Sequence, residues 1–494
     1  MSKLAAHTAW YTLGNLIPRI SNFLLLPLYS AFLSPADYGI ISAMLTLQMV
    51  MLPICTLALD RGLERLFFDS DDPGERKRIV STISIMILVF AAAILGGGVA
   101  GRRYLVKIFP DIPFLPYYAM MLGILALDMF TIVPKVYWRV NQRAKLFVAV
   151  SFLQFAVLLV LKLVFIVGLR QGARGFMTAN LLAFAVMTPF FIWWMLRIAD
   201  FRFDFRIAAG ALVFSLPMIP LLLSGWIVQL TSRMFIDRNI NMNALGIYSF
   251  SMTLASVLQM IGVSYLPAYS PVFYAAANGG DQRTAKRELF EYNRNYMLFL
   301  IFLSFCQALF MRNVLMCLNQ RYLECWKYIP LMTLGIFFNL IGGIYNLCFY
   351  QSKNSVWVML LFFLSAAVNI LLTWLMIKPC GVWGCVWAGV FSNILLFALT
   401  YLLAHRYFFI PLDWLLLITV GGGAIAINAL FYFAELKFAV DLVCKIVCCL
   451  IVAAALLRWK GEFFNRLLPH AITGSGIWKI IYGWATVNMA KKAS

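Results

Sequence analysis

Five charged residues sit where the surrounding sequence is too apolar to hold them cheaply. Arg19, Lys162, Arg233 and Asp128 fall within or at the edge of long hydrophobic runs, and Arg61 closes another. A charge deep in a bilayer is costly unless it faces protein or water, so each is a functional candidate by default. Arginine stays ionised and offers a planar fork of donors that fits a phosphate or carboxylate, whereas lysine is a compact point charge. Structural readings stand beside the functional ones. Arg19 reads equally as an ion-paired anchor, and the Lys162 stem is long enough to snorkel to an interface. Arg61 and Arg233 lie near span ends, where charge is cheap. Asp128 is either a proton or sodium site that couples a cycle or the partner of a nearby arginine. Lys445 reads as a snorkelling or interhelix residue.

The remaining polar motifs support no separate chemistry. His7, His405 and His470 are too scattered for a triad or metal cluster, and the ten cysteines form no CxxC pair. Asp69-Ser70-Asp71 has the look of a metal and sugar-nucleotide motif, but a short charged loop accounts for it. Gly96-Gly97-Gly98 and Gly421-Gly422-Gly423 lie in apolar runs with no following Lys-Ser/Thr. They read as sites of close helix packing. Asn15, Asn180, Asn369 and Asn393 read as hydrogen-bond glue between helices. Pro18, Pro27, Pro217 and Pro220 mark kinks in the first and seventh apolar runs, either static or hinged.

The elements that must position these residues are membrane spans. Of 494 residues, 63% are hydrophobic and 12% charged, with a mean hydropathy of +0.87; a soluble domain carries about 25% charged residues. The fold class is an all-α polytopic membrane protein. Windows of roughly 20 apolar residues predict about fourteen helices, at 10–32, 39–59, 79–100, 114–134, 146–168, 173–196, 208–235, 245–270, 295–316, 327–350, 355–377, 382–404, 412–433 and 438–457. The first residues lack a signal peptide's cleavage pattern, so the first helix is expected to be retained. Between spans no connection is long enough for a soluble domain. The stretch after Arg458, with Ile477, Trp478, Ile480, Ile481 and Trp484, reads as an interfacial helix or a disordered tail.

Lysine and arginine outnumber aspartate and glutamate by 40 to 20. In a membrane protein that excess marks inner loops, not nucleic-acid binding. Placing the N-terminus inside puts 25 of the 40 on the inner side and 12 on the outer, the exceptions including Arg102 and Arg103. Both termini are therefore expected inside. The halves also echo each other. Tyr38-Gly39-Ile40-Ile41-Ser42 recurs as Leu245-Gly246-Ile247-Tyr248-Ser249, Leu122-Gly123-Ile124 as Leu334-Gly335-Ile336, and Gly172-Ala173-Arg174-Gly175 as Gly381-Val382-Trp383-Gly384. The near-constant offset predicts two parallel six-helix bundles, 1–204 and 205–408. Two additional helices follow over 409–458, then a tail at 459–494.

The run Leu28-Tyr29-Ser30-Ala31-Phe32-Leu33-Ser34-Pro35-Ala36-Asp37-Tyr38-Gly39 resembles the polysaccharide transporter (O-antigen flippase) family of the multidrug/oligosaccharidyl-lipid/polysaccharide exporter superfamily. Asp60-Arg61-Gly62-Leu63-Glu64-Arg65, Leu216-Pro217-Met218-Ile219-Pro220 and Ser232-Arg233 followed by Gly246-Ile247-Tyr248 add to the resemblance. The chain departs from a common form in having Ser232 where an acidic residue precedes the arginine. The resemblance implies movement of undecaprenyl-diphosphate-linked oligosaccharides from the cytoplasmic to the periplasmic leaflet of a bacterial inner membrane, by alternating access, for lipopolysaccharide and other surface glycans. It implies a lipid-linked oligosaccharide and membrane lipids as partners, with a polysaccharide polymerase and chain-length regulator beside them. It implies no cofactor and no metal beyond a coupling proton or sodium ion. By analogy with lipid II flippases, Arg19 would line a central cavity. Arg61 would stand at its inner mouth, and Lys162 and Arg233 toward its outer side.

Two other classes compete. A multidrug or small-cation exporter of the same superfamily would favour acidic residues in its spans, where here basic ones dominate. A polytopic polymerase or glycosyltransferase would need a large extracytoplasmic loop or catalytic acidic pairs, and neither is present in the sequence. If the ladder of cations carries an anionic cargo, Arg19→Ala at normal surface expression abolishes export; unchanged export removes Arg19 from the mechanism.

Overall fold

The computed structural model describes residues 23–459, apart from 24, 201, 280–281, 409 and 434–437. Arg19, Gly14, Asn15 and Pro18 lie outside the described residues, as does the tail from 460 onward. Among the described residues there is no strand. Eleven helices among the described residues are long and apolar enough to cross a membrane, and a twelfth span arises if one bent pair is counted as a single span. The protein is a polytopic, all-helical membrane protein.

The described chain begins with α1 (Leu26–Phe32), whose first turn contains Pro27 where a missing N–H costs nothing. Ser34 then caps α2 (Pro35–Cys55) with a reciprocal capping box. The Ser34 hydroxyl accepts from the Asp37 N–H at 3.1 Å, and the Asp37 carboxylate accepts from the Ser34 N–H at 3.1 Å. After α2 the chain breaks at Leu57 and Ala58, both left-handed with φ of 50° and 51°. It resumes as α3 (Leu59–Asp69). The charged stretch from Arg61 falls between the expected spans 39–59 and 79–100. Leu59, Leu63 and Phe67 recur every four residues and are buried, which is a helical stripe.

The next helices are α4 (Pro73–Ala100), α5 (Ala119–Val140), α6 (Ala144–Lys162), α7 (Gly172–Ile198) and α8 (Phe205–Ser215). A core of Leu63, Phe67, Ile83, Met129, Val133 and Ala211 joins α3, α4, α5 and α8. A single turn at Leu216–Met218 separates α8 from α9 (Ile219–Asn239). The axis bends by 51° there, at the expected Pro217 and Pro220. The chain continues with α10 (Met242–Val263), α11 (Tyr265–Asn278) and α12 (Gln282–Leu318). Then come α13 (Cys325–Gln351), α14 (Ser355–Cys380), α15 (Val382–Ala404), α16 (Gly422–Phe433) and α17 (Phe438–Trp459).

The helices form two compact units. The first takes the described residues up to Val263 together with Val314–Tyr407; the second takes Ser264–Asn313 with those from Phe408 onward. Within the second, Lys445 on α17 meets Asp441 at 2.8 Å and the Asn313 side-chain oxygen of α12 at 2.9 Å. Asn313 in turn donates to Asp441 at 2.9 Å. Lys445 is thus the interhelix residue of the two readings.

In the first unit the repeated segments meet face to face. Ser42 donates to Ser249, its counterpart 207 positions on, at 2.8 Å. A Cβ on Gly39 would strike the Met242 carbonyl, and one on Gly246 the Pro35 carbonyl, so α2 and α10 touch backbone to backbone. The helix starts match as well: Asn241, the counterpart of Ser34, accepts from the Ala244 N–H at 2.8 Å as Ser34 does from Asp37. Gly172 and Gly381 both open a following helix at φ 57°. The Asp37 carboxylate also accepts from the Ala173 N–H at 3.0 Å, pinning α2 to α7.

Gly246→Ala is expected to force α2 and α10 apart and to lower the thermal midpoint more than Gly225→Ala, where a Cβ meets open space. Asp37→Ala removes a helix cap and a tie between spans, at about 1–2 kcal/mol. A thermal-shift series on detergent-purified variants measures both.

Candidate functional site

The helix starts just described bring two buried cations to one end of the first unit. Lys162, in the last turn of α6, is 2% exposed. Its ammonium donates to the Tyr29 hydroxyl of α1 at 2.9 Å and lies over the Phe176 ring of α7, 4.4 Å from its centre. Arg233 on α9 is 7% exposed. One terminal nitrogen donates to the Gln229 carbonyl of its own helix at 3.0 Å, and its Nε is buried without a partner among the described residues. Tyr38 of α2 and Tyr248 of α10, one from each repeat, lie within its electrostatic reach.

Aromatic rings connect the two cations. The Tyr29 and Tyr38 rings lie 6.5 Å apart, and Tyr38 packs edge-on against Phe250 and Tyr322. Among the described residues, no ion pair joins either cation to a carboxylate. Burying an ion costs several kcal/mol even after relaxation. One cation–π contact returns about 2 kcal/mol when desolvated, and one hydrogen bond of a charged group about 1.5–3 kcal/mol. Both cations therefore retain unused capacity for an anion.

Hydrogen bonds between the repeats close this end. Tyr38 and Thr253 share one at 3.0 Å, Asn319 donates to the Ser30 carbonyl at 2.9 Å, and Tyr322 donates to the Leu33 carbonyl at 3.1 Å.

Arg61 stands apart. It follows the far end of α2, a 21-residue helix and so roughly 30 Å from Tyr38 at 1.5 Å per residue. It is half-exposed and already neutralised, 3.4 Å from Asp60 and 3.9 Å from Glu64. Glu64 also pairs with Arg139 of α5 at 3.0 Å. Burial raises the Asp60 carboxyl above its ordinary range, opposed by Arg61 and Arg139.

Asp128, midway along α5, accepts from the Thr131 hydroxyl at 3.3 Å. Its charged neighbour is Lys135, two turns on along the same helix, not an arginine. Lys135 donates to Gln154 of α6 at 3.2 Å. Asp128, Lys135 and Arg139 share one face of α5, which extends the charged stripe into the span.

Reading the sequence missed Asp237. It lies one turn beyond Arg233 on α9, 4% exposed, with both carboxylate oxygens unpaired among the described residues. It falls just past the apolar window 208–235, and its i, i+4 spacing from Arg233 was the available signal. Tyr29 and Tyr38 were visible within the Leu28–Gly39 motif, but a phenol in a span is no charge anomaly. Among the described residues no cluster of three or more His, Cys, Asp or Glu side chains is arranged to hold a metal.

Residues 30–327 match the model of a family described as polysaccharide biosynthesis protein. The chain belongs to that family. The match begins at Ser30 and takes in Lys162, Arg233 and the Tyr38 seam of this polysaccharide biosynthesis protein. No curated protein sequence matches the chain significantly. Among solved structures, the lipid II flippase MurJ in an inward closed conformation is 13% identical, covering 91% of this chain and 98% of that one with a TM-score of 0.69. An inward-facing multidrug resistance MATE transporter of the MOP superfamily is 14% identical, covering 81% and 97% with a TM-score of 0.67. A mutant of the Vibrio cholerae MATE transporter VcmN is 14% identical, covering 82% and 95% with a TM-score of 0.51. These likenesses establish a shared fold, that of membrane flippases and exporters.

Lys162→Met separates a structural lysine from a functional one. Replacing a buried, uncompensated cation by an apolar side chain of similar volume leaves stability unchanged or raises it. The expected result is an unchanged or higher thermal midpoint together with impaired transport. A fall in both would make Lys162 a structural residue.

Proposed function

We propose that this chain flips undecaprenyl-diphosphate-linked oligosaccharide units from the cytoplasmic to the periplasmic leaflet of a bacterial inner membrane, by alternating access, for surface polysaccharide assembly. One observation carries this reading: Lys162 and Arg233 are buried at one end of the repeat seam, and among the described residues neither forms an ion pair with a carboxylate. A diphosphate supplies that missing negative charge, and the arginine fork fits its oxygens. A cationic drug would not, which argues against the multidrug reading.

In the proposed cycle both termini are cytoplasmic, and the Ser34 end faces the periplasm, closed here by the Tyr38, Asn319 and Tyr322 bonds. The repeats 1–204 and 205–408 rock about this seam, with the bend at Pro217 and Pro220 as a hinge. Opening the Ser34 end uncovers Lys162 and Arg233. The exposed Arg61, Glu64 and Arg139 group marks the opposite mouth. Arg19 extends the cationic path, and Asp128 binds the coupling proton or sodium ion. A polysaccharide polymerase and chain-length regulator would receive the product.

Deleting the gene is expected to leave lipid-linked repeat units facing the cytoplasm. Complementation with Arg233→Gln should restore less than a tenth of export, from loss of about 2 kcal/mol of phosphate binding. Arg233→Lys should restore an intermediate level. Single units that are exported but not joined would indicate a polymerase. A phenotype limited to drug sensitivity would indicate a multidrug exporter.

A further inference from the structure

The sequence places Arg102 and Arg103 on the side poor in positive charge, and the proposed function gives them no task. Both are exposed, in the short helix Arg102–Leu105 that follows α4, and among the described residues neither has an ion-pair partner. Lys107, also exposed, lies over the Tyr104 ring at 5.5 Å, and its carbonyl accepts from Arg238.

Directly beside them runs a groove of about 480 Å³. One wall is the end of α2 and its break: Met51, Ile54, Cys55 and Leu57. The other is the last turns of α4, from Phe90 to Gly98, continued by Gly101 and by Tyr104 and Leu105 of the short helix. Every lining side chain but the Tyr104 hydroxyl and Cys55 thiol is purely apolar. Of the glycine run expected to pack helices, only Gly98 does so, against Leu122; Gly96 and Gly97 have nothing within 4 Å of a Cβ position. Gly97 keeps the groove clear instead.

From these features we propose that the groove binds one acyl chain of an anionic phospholipid, whose phosphate rests on Arg102 and Arg103. Charge and size select this occupant. The cationic pair sits only at the Tyr104 end, so the headgroup goes there and the chain runs toward Leu57. Phe90 and Leu105 are separated by at most roughly 22 Å at 1.5 Å per residue, the length of a single extended chain. If a methylene fills ~30 Å³, as a water molecule does in the liquid, the groove takes on the order of sixteen carbons. That is one phospholipid chain and far less than a polyprenyl tail. The chain end lies against the left-handed Leu57, where α2 gives way to α3, and fills the space beside the break.

The test is native mass spectrometry of the full chain released from nanodiscs of equimolar phosphatidylglycerol and phosphatidylcholine, both with sixteen-carbon chains. One phosphatidylglycerol is expected to remain bound, in preference to phosphatidylcholine by roughly 10-fold. Gly97→Leu fills the groove and should lower retention by at least as much, as should the double variant Arg102→Gln/Arg103→Gln. Gly96→Leu, outside the lining, should leave retention unchanged. If Gly97→Leu does not fold, the exposed arginine pair carries the test alone. Equal retention of the two lipids, or retention unaffected by the arginine variant, overturns the proposal. Displacement of phosphatidylglycerol by an equimolar polyprenyl phosphate would also overturn it.

Discussion

The contact on which the first unit depends is the backbone-to-backbone meeting of α2 and α10. Gly39 and Gly246 are equivalent positions in the two repeats, and each leaves room only for the other helix's carbonyl. Such an approach is available to glycine alone, because any Cβ would separate the helices. It also makes the interface self-complementary: Ser42 meets Ser249, as residues related by a twofold axis must. Helices α2 and α10, joined in this way, have their starts at a common end.

That geometry explains why the cations are where they are. Helix starts collect at the Ser34 end, and there the Asp37 carboxylate is consumed by two of them. Tyr38, next in sequence, turns into the seam beside Phe250 and Tyr322. The closure holding Lys162 and Arg233 under this layer consists of a few neutral hydrogen bonds, each contributing about 0.5–1.5 kcal/mol net. A total of a few kcal/mol is the range in which a ligand's preference for one state shifts a conformational equilibrium. The glycine contact holds the helices in register, and weaker polar bonds surround it.

Much of the fold was legible because hydrophobic windows and offsets are properties of the chain alone. The windows located the spans, and the offset 207 paired Gly39 with Gly246 as equivalent positions, though nothing in it announced that the two touch. Helix α3 was not legible, since its charges outweigh a four-residue stripe of Leu59, Leu63 and Phe67. Nor was the break at Leu57 and Ala58, which carries no glycine to announce a left-handed turn. For the site, the sequence located charges but not their partners. Lys162 stood out as a lysine in an apolar run; that Tyr29 accepts its hydrogen bond depends on α1 and α6 meeting, which no local pattern encodes. Asp237 was lost to a window edge, and the extended stripe of Asp128, Lys135 and Arg139 to assigning Lys135 to a loop.

Partnership separates these charges more sharply than depth does. Lys445 is as deeply buried as Lys162, yet Asp441 and Asn313 surround it, and removing a member of such a cluster chiefly destabilises the protein. Arg61 is accessible, yet Asp60 and Glu64 already satisfy it, so an incoming anion gains little there. Lys162 and Arg233 combine burial with the absence of an ion pair among the described residues. A membrane protein that gained nothing from them would be more stable with apolar side chains in their place. Their burial without compensation is a cost met by the rest of the packing, and a mobile anion that visits this end of the seam is the simplest physical reason for it to persist.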